Sequence, residues 1–103
     1  MQPRSNSAII SAANAALESL SRALALELAP VRVNCVSPGI IDTSIRAAMP
    51  GEARKEMLSK AAASLQVDRV GVGEDVARQI VACMTDGFMT ASTSYLDGCA
   101  LVI

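Results

Sequence analysis

Histidine and tryptophan are absent, and Phe88 and Tyr95 are the only aromatic residues. Without His, the side chain that titrates near neutral pH and most often binds metals is missing. The three cysteines cannot complete a tetrahedral zinc site by themselves, and no Cys-x-x-Cys occurs; no metal is expected. So few aromatics offer no platform on which bases could stack. A formal net charge of −1 leaves no basic footprint, so neither nucleic acid nor an anionic membrane is an expected partner. The longest apolar runs fall well short of the ~20 residues of a membrane span. The opening Met1-Gln-Pro-Arg4 has no signal-peptide pattern, and a cytoplasmic location is the expectation. There an odd number of cysteines argues against disulfides. Cys35 and Cys83 read as small buried hydrophobes, and Cys99, after Gly98, as a candidate reactive thiol.

What is present is apolar and aliphatic. Hydrophobic residues make up 51% and charged ones 18% of 103 residues, which excludes a disordered tail and allows one domain over 1–103. A chain of this size buries only about 60–65% of its unfolded surface, so its core is thin.

Ser5, Asn6 and Ser7 are candidate caps for a helix over 8–29. Leu17, Leu20, Leu24 and Leu28 lie on one face of it, and Ala12, Ala15, Ala16, Ala23 and Leu26 make much of the remainder apolar. The polar stripe is narrow: Ser11, Asn14, Glu18 and Arg22, the last two spaced for an ion pair. Such a helix wants two partners, a sheet and another subunit. Pro30 stops it. Val31 to Val36 suits a strand buried on both faces, ended by Ser37-Pro38-Gly39. Residues 40–50 read as a loop or short helical segment, and 52–65 as a surface helix or lid with a stripe of Met57, Leu58, Ala61 and Leu65. A linker over 67–73 leads to a third helix that opens on Glu74, has Val76, Ala77, Ile80, Val81 and Met84 as its inner face, and ends at Asp86-Gly87. Thr93–Leu96 is a second strand, and Leu101-Val-Ile103 a short apolar terminus. The order α-β-α-α-β implies two parallel strands joined by crossover helices.

Several motifs together resemble the short-chain dehydrogenase/reductase family, over nearly the whole chain but only the C-terminal part of that family's domain. Ala15-Ala-Leu17 through Leu24-Ala-Leu-Glu-Leu-Ala29 resembles the helix that carries the family's catalytic Tyr and Lys. Arg32-Val-Asn-Cys-Val-Ser-Pro-Gly39 resembles its sixth-strand signature, Arg69 through Ala77 the entry to its late helix, and Leu96-Asp-Gly98 its last strand and turn. The fold this implies is α/β: a truncated Rossmann-like fragment with two parallel strands, completed by oligomerisation.

In that family the Tyr is the general acid/base, and the Lys lowers its pKa and holds the ribose. Here no Tyr-x-x-x-Lys pair exists, and Ile10 and Asn14 occupy the two positions. Ile10 exchanges no proton; Asn14 can hydrogen-bond a hydroxyl but carries no charge. The catalytic Ser would fall before Met1, and the glycine-rich dinucleotide loop and acidic ribose reader are absent from these residues. Ala91 and Cys99 stand where the family has glycines. By resemblance, Pro38, Gly39, Ile41 and Thr43 border the nicotinamide, if such a site persists; the alternative is a strand-end turn with no ligand.

The expectation is therefore a vestigial protein without ordinary NAD(P)-dependent activity and without cofactor in the isolated chain. It would act as an oligomeric scaffold or binding module. The resemblance implies homo-oligomer contacts through the 8–29 helix and through the C-terminal helix and strand. Two other readings stay open. In one, a separate N-terminal half completes an NAD(P) site. In the other, an apolar pocket behind Gly39 supports different chemistry, using Asn14, Glu18, Asp42, Thr43, Tyr95 or Asp97.

Overall fold

The computed structural model describes residues 5–44 and 48–101. The expectations for Met1–Arg4, for the middle of the 40–50 segment and for the last two apolar residues lie outside these. Three helices and four short strands follow one another: α1 (Ala8–Glu27), β1 (Cys35–Pro38), β2 (Ile41–Asp42), α2 (Gly51–Ser64), β3 (Gly71–Val72), α3 (Gly73–Thr85) and β4 (Thr93–Leu96). β1 pairs in parallel with β4, and β2 in parallel with β3. The fold is thus α/β with parallel strands, as expected, but with two strand pairs rather than one. β2 and β3 are two residues each, too short to leave a period in the sequence.

The β1–β4 register sets Cys35 against Thr93 and Pro38 against Leu96. Neighbouring strand residues point to opposite faces. Tyr95 reaches Glu18 of α1, whereas Ser94 Oγ accepts a hydrogen bond from Gln79 Nε2 of α3 at 3.0 Å. The two helices therefore cover opposite faces of the sheet.

β1 differs from its expected span. Residues 31–34 precede the strand, and the strand runs through Pro38 before Gly39 ends it. Cys35 and Gly39 donate their N–H groups toward β4, to Ser92 and Leu96 carbonyls at 2.9 Å each. Residues one step out of phase face the other way, so the nitrogen of Pro38 lies on the open edge, where a missing N–H breaks no ladder bond. The strand is half-buried over Cys35–Ser37 and exposed at Pro38, less buried than expected.

Arg32 and Asn34, read as strand residues, instead clamp the segment between α3 and β4. Arg32 Nη1 donates to the carbonyls of Cys83 at 2.6 Å and Met89 at 3.0 Å, and Nη2 to Met84 at 2.8 Å. The cation thereby sits at the negative end of α3. Asn34 Nδ2 donates to Met89 O at 2.8 Å, and its Oδ1 accepts from Ser92 N–H at 3.2 Å.

α1 is turned differently from its leucine pattern. Its buried residues are Ser21 and Ala25, with Ser11, Glu18 and Leu24 half-buried, while Leu17, Leu20 and Leu28 are exposed. The stripe of Ser11, Glu18, Ser21 and Ala25 is the covered one, and Glu18 reaches the sheet through Tyr95. Glu18 pairs with Tyr95, not with Arg22 as expected. On α3 the half-buried residues are Asp75, Val76, Gln79 and Cys83; Ala77, Ile80, Val81 and Met84, expected inside, are exposed.

α2 is capped by Pro50, whose carbonyl accepts the Arg54 N–H at 2.9 Å. Its expected stripe of Met57, Leu58 and Ala61 is half-buried, and Leu65 beyond its end is 4% exposed. α3 begins where Asp75 accepts the Val72 N–H at 2.9 Å and a two-pronged contact from Arg69 at 2.7 and 3.0 Å. The Arg69 guanidinium, followed by that N–H, pulls the Asp75 carboxyl down to about 2.

Ala91 and Cys99 both have left-handed backbones, with φ of 55° and 79°. These are the two positions where the sequence departs from glycine, and each carries a strain of about 1 kcal/mol that glycine would not. The core is thin throughout: no large side chain among the described residues is fully buried. The radius of gyration is 15.6 Å, against about 13 Å for a compact domain of this length.

Candidate functional site

A half-open cleft of about 390 Å³ lies between α1 and the carboxyl end of β1, next to the turn at Gly39. α1 contributes Asn14, Leu17 and Glu18; β1 and its turn contribute Cys35 to Ile40; β4 and the residues after it contribute Tyr95, Asp97, Ala100 and Leu101. This is where parallel α/β sheets put their ligands, because strand ends there leave turn backbone exposed. Gly39 makes the turn possible. A Cβ added to it would lie 2.7 Å from Cα and 2.8 Å from Cβ of Asp97.

The polar groups of the cleft are fixed by their partners. Tyr95 donates its hydroxyl to Glu18 Oε2 at 2.7 Å, joining β4 to α1. The Glu18 carboxylate, which favours the neutral phenol, raises the Tyr95 pKa above 10, with burial adding to the effect. Asp97 accepts the Cys99 N–H at 3.0 Å on Oδ1 and the Leu101 N–H at 3.1 Å on Oδ2, so its carboxylate closes the last turn. The cleft therefore offers hydrogen-bond donors and acceptors over a floor of Leu17, Val36, Pro38 and Ile40.

Of the residues singled out from the sequence, Asn14, Glu18, Pro38, Gly39, Tyr95 and Asp97 come together here. Ile41 does not line the cleft. It belongs to β2 and faces Gly71, in a second, smaller hollow of about 150 Å³ with Leu65, Val67 and Arg69. Asp42 is bound to Arg54 of α2 and anchors that helix. Thr43 follows β2, half-buried and outside both hollows. Ile10 stands one turn before Asn14, 57% exposed and away from the cleft lining. Cys99 lies in the turn beyond Asp97, whereas Cys35 is the cysteine that lines the cleft. Cys35 and Ser37 escaped the sequence reading. Two-residue alternation from Cys35 puts both on one face, and that signal identifies them once the strand's start is known.

The chain contains one tyrosine, so the Tyr95 contact can be read directly. Its phenol is expected to ionise above the free value near 10, and Glu18→Gln is expected to bring it back toward that value. A folded pKa above the unfolded one contributes stability below about pH 10 that is lost as pH rises through the folded value. Ultraviolet titration at the phenolate band measures both effects.

Among the described residues no group of His, Cys, Asp and Glu could hold a metal, and no helix is long and apolar enough to cross a membrane. Residues 2–99 match the family model described as enoyl-(acyl carrier protein) reductase. The chain is 32% identical over 102 residues to the short-chain dehydrogenase/reductase ucsE of Acremonium sp, covering 99% of this chain and 39% of that protein. It is 35% identical over 91 residues to the 3-oxoacyl-[acyl-carrier-protein] reductase FabG of Chlamydia pneumoniae, covering 84% of this chain and 35% of that one. Among solved structures, a small-chain dehydrogenase in complex with NADPH superposes with a TM-score of 0.88 at 35% identity, over 95% of this chain and 45% of the other. This chain thus spans about two fifths of the length of these curated relatives. Parallel strands, the Gly39 turn at their carboxyl end and these matches agree: the chain belongs to the short-chain dehydrogenase/reductase family.

Proposed function

We propose that this chain is a cytoplasmic binding and assembly module of its family that does not use Tyr–Lys proton transfer. The observation that carries the reading is the outer face of α1. Ile9, Ile10, Leu20 and Leu26 are exposed on this helix and outside the cleft lining, and among the described residues β1 is paired along one edge. Uncovered apolar surface and an unpaired strand edge both favour a second polypeptide segment. Homo-oligomer contacts through α1 and through the α3–β4 end supply one.

Ile10 and Asn14 fit this reading, since neither donates or accepts the proton that accompanies hydride transfer. A nicotinamide cofactor, when bound to a dehydrogenase, supplies a hydride. The residues that would hold one here are Pro38 and Gly39 at the turn, with Asn14, an amide of the type that hydrogen-bonds hydroxyls, in the same lining. That cleft is half-open, which favours cofactor binding only after a covering segment closes it.

Size-exclusion chromatography with light scattering, combined with thermal denaturation, tests the proposal. The chain alone is expected to be multimeric at low micromolar concentration and to show no melting shift with NAD(H) or NADP(H). A cofactor at 100 times its dissociation constant would add about 2.7 kcal/mol. Such a shift, or a well-folded monomer, would overturn the reading.

A further inference from the structure

We propose that the cleft beside Gly39 is a site for a small organic cation, an ammonium group carried on an apolar body. This rests on the binding half of the reading above, to which it gives a ligand class, and not on self-association. The cleft holds about 390 Å³, at the small end of ligand pockets, which run from about 300 to 1,000 Å³. That volume suits one ring and a short chain. Leu17, Val36 and Ile40 give it apolar walls. Its charged groups are Glu18 and Asp97, and among the described residues no lysine or arginine joins them. Arg22, whose charge reaches Tyr95, stands exposed one turn beyond Glu18 and outside the lining.

Both carboxylates keep room for a donor. Glu18 accepts the Tyr95 hydroxyl on Oε2 at 2.7 Å, and its Oε1 receives no hydrogen bond from the described residues. Asp97 accepts one backbone N–H on each oxygen, and each carboxylate oxygen has a second lone pair. Neither is ion-paired among the described residues, whose salt bridges use Asp42, Glu56 and Asp75 instead. A cleft of this sign repels a phosphate or carboxylate and favours a cation. An ammonium brings up to three donors to these acceptors. The Tyr95 ring, in the same lining, adds a surface that attracts cations. A neutral apolar molecule would fill the same walls but leave the Glu18 charge uncompensated.

Three probes of similar shape separate charge from apolar fit: cyclohexylmethylammonium, cyclohexylmethanol and cyclohexanecarboxylate. Calorimetric titration into the full chain measures each. The fluorescence of Tyr95, the single tyrosine of a chain without tryptophan, reports that the cleft is where they bind. The ammonium is expected to bind about tenfold tighter than the alcohol, as a charge-assisted hydrogen bond gives, and the carboxylate not at all at millimolar concentration. Glu18→Gln removes the charge but keeps an acceptor for the Tyr95 hydroxyl. It is expected to weaken ammonium binding about tenfold and to leave the alcohol unchanged. Asn14→Lys, at an exposed position of the lining, is expected to abolish ammonium binding and admit the carboxylate. Equal affinity for ammonium and alcohol, tighter binding of the carboxylate by the natural chain, no ammonium binding, or unchanged ammonium affinity in Glu18→Gln would each overturn the site. Light scattering on the same samples keeps the two readings apart. A monomer that binds the ammonium overturns assembly alone, and a multimer that does not bind it overturns the ligand class alone.

Discussion

Gly39→Ala is expected to lower the melting temperature by about 15 °C, the largest effect of any single methyl group added to this chain. The added Cβ would sit 2.7 Å from Asp97 Cα and 2.8 Å from Asp97 Cβ, well inside van der Waals contact. Neither atom can step aside. Asp97 is held by its two carboxylate bonds to the Cys99 and Leu101 N–H groups, and Gly39 is held to Leu96 by its own N–H. Overpacking against fixed backbone costs about 3 kcal/mol at its upper range. In a domain of this length each kcal/mol moves the melting temperature by about 4–8 °C. Gly71→Ala is the control. Its Cβ would meet the end of the Ile41 side chain, which can rotate away, so a loss below about 1 kcal/mol is expected. Thermal denaturation of the two variants side by side measures the difference. Equal losses would show that the Gly39–Asp97 approach is not what limits that position.

Arg32→Ala is expected to cost about 3 kcal/mol, with Arg32→Lys recovering about half. One guanidinium satisfies three carbonyls, of Cys83, Met84 and Met89, at the end of α3 and in the loop that follows. Hydrogen bonds from a charged donor contribute about 1.5–3 kcal/mol each. The three share one half-buried side chain, so their sum is smaller than three separate bonds would give. Lysine keeps the charge at the helix end but not the planar fork that reaches several carbonyls at once. Chemical denaturation midpoints give both values. Because the clamp sets where β4 begins, Arg32→Ala should also loosen the cleft, and faster amide exchange at Thr93–Leu96 would report it.

The parts legible in the sequence are those whose signals are local. α1, α2 and α3 lie within a residue or two of their expected bounds, because Pro30, Pro50-Gly51, the acidic start at Glu74 and Asp86-Gly87 punctuate them. β4 matches its expected span because Asp97-Gly98 closes it. β1 was displaced because Arg32 and Asn34 look like strand residues in a β-branched run, and only the distant α3–β4 loop gives their side chains another task. β2 and β3 had no period to find. In the cleft, Asn14, Pro38 and Gly39 were recognisable from motif and turn chemistry. Glu18, Tyr95 and Asp97 could be named only as candidates among several polar residues. Asp42 left that group once Arg54 proved to be its partner.

By itself, then, the sequence determined the helices and their ends, the need for glycine at the Gly39 turn, and the replacement of an acid/base pair by Ile10 and Asn14. Each of these depends on residue type and on neighbours a few positions away. Only the tertiary structure decided which stripe of α1 faces the sheet, which face of α3 remains free, and that Tyr95 meets Glu18 across 77 positions. Two features explain the difference. On α1 both sides are apolar enough to be buried, so the pattern is ambiguous, and the Glu18–Tyr95 hydrogen bond turns the polar side toward the sheet. The long-range pairs depend on strand register, which fixes every side chain's direction at once and which no local run of residues encodes.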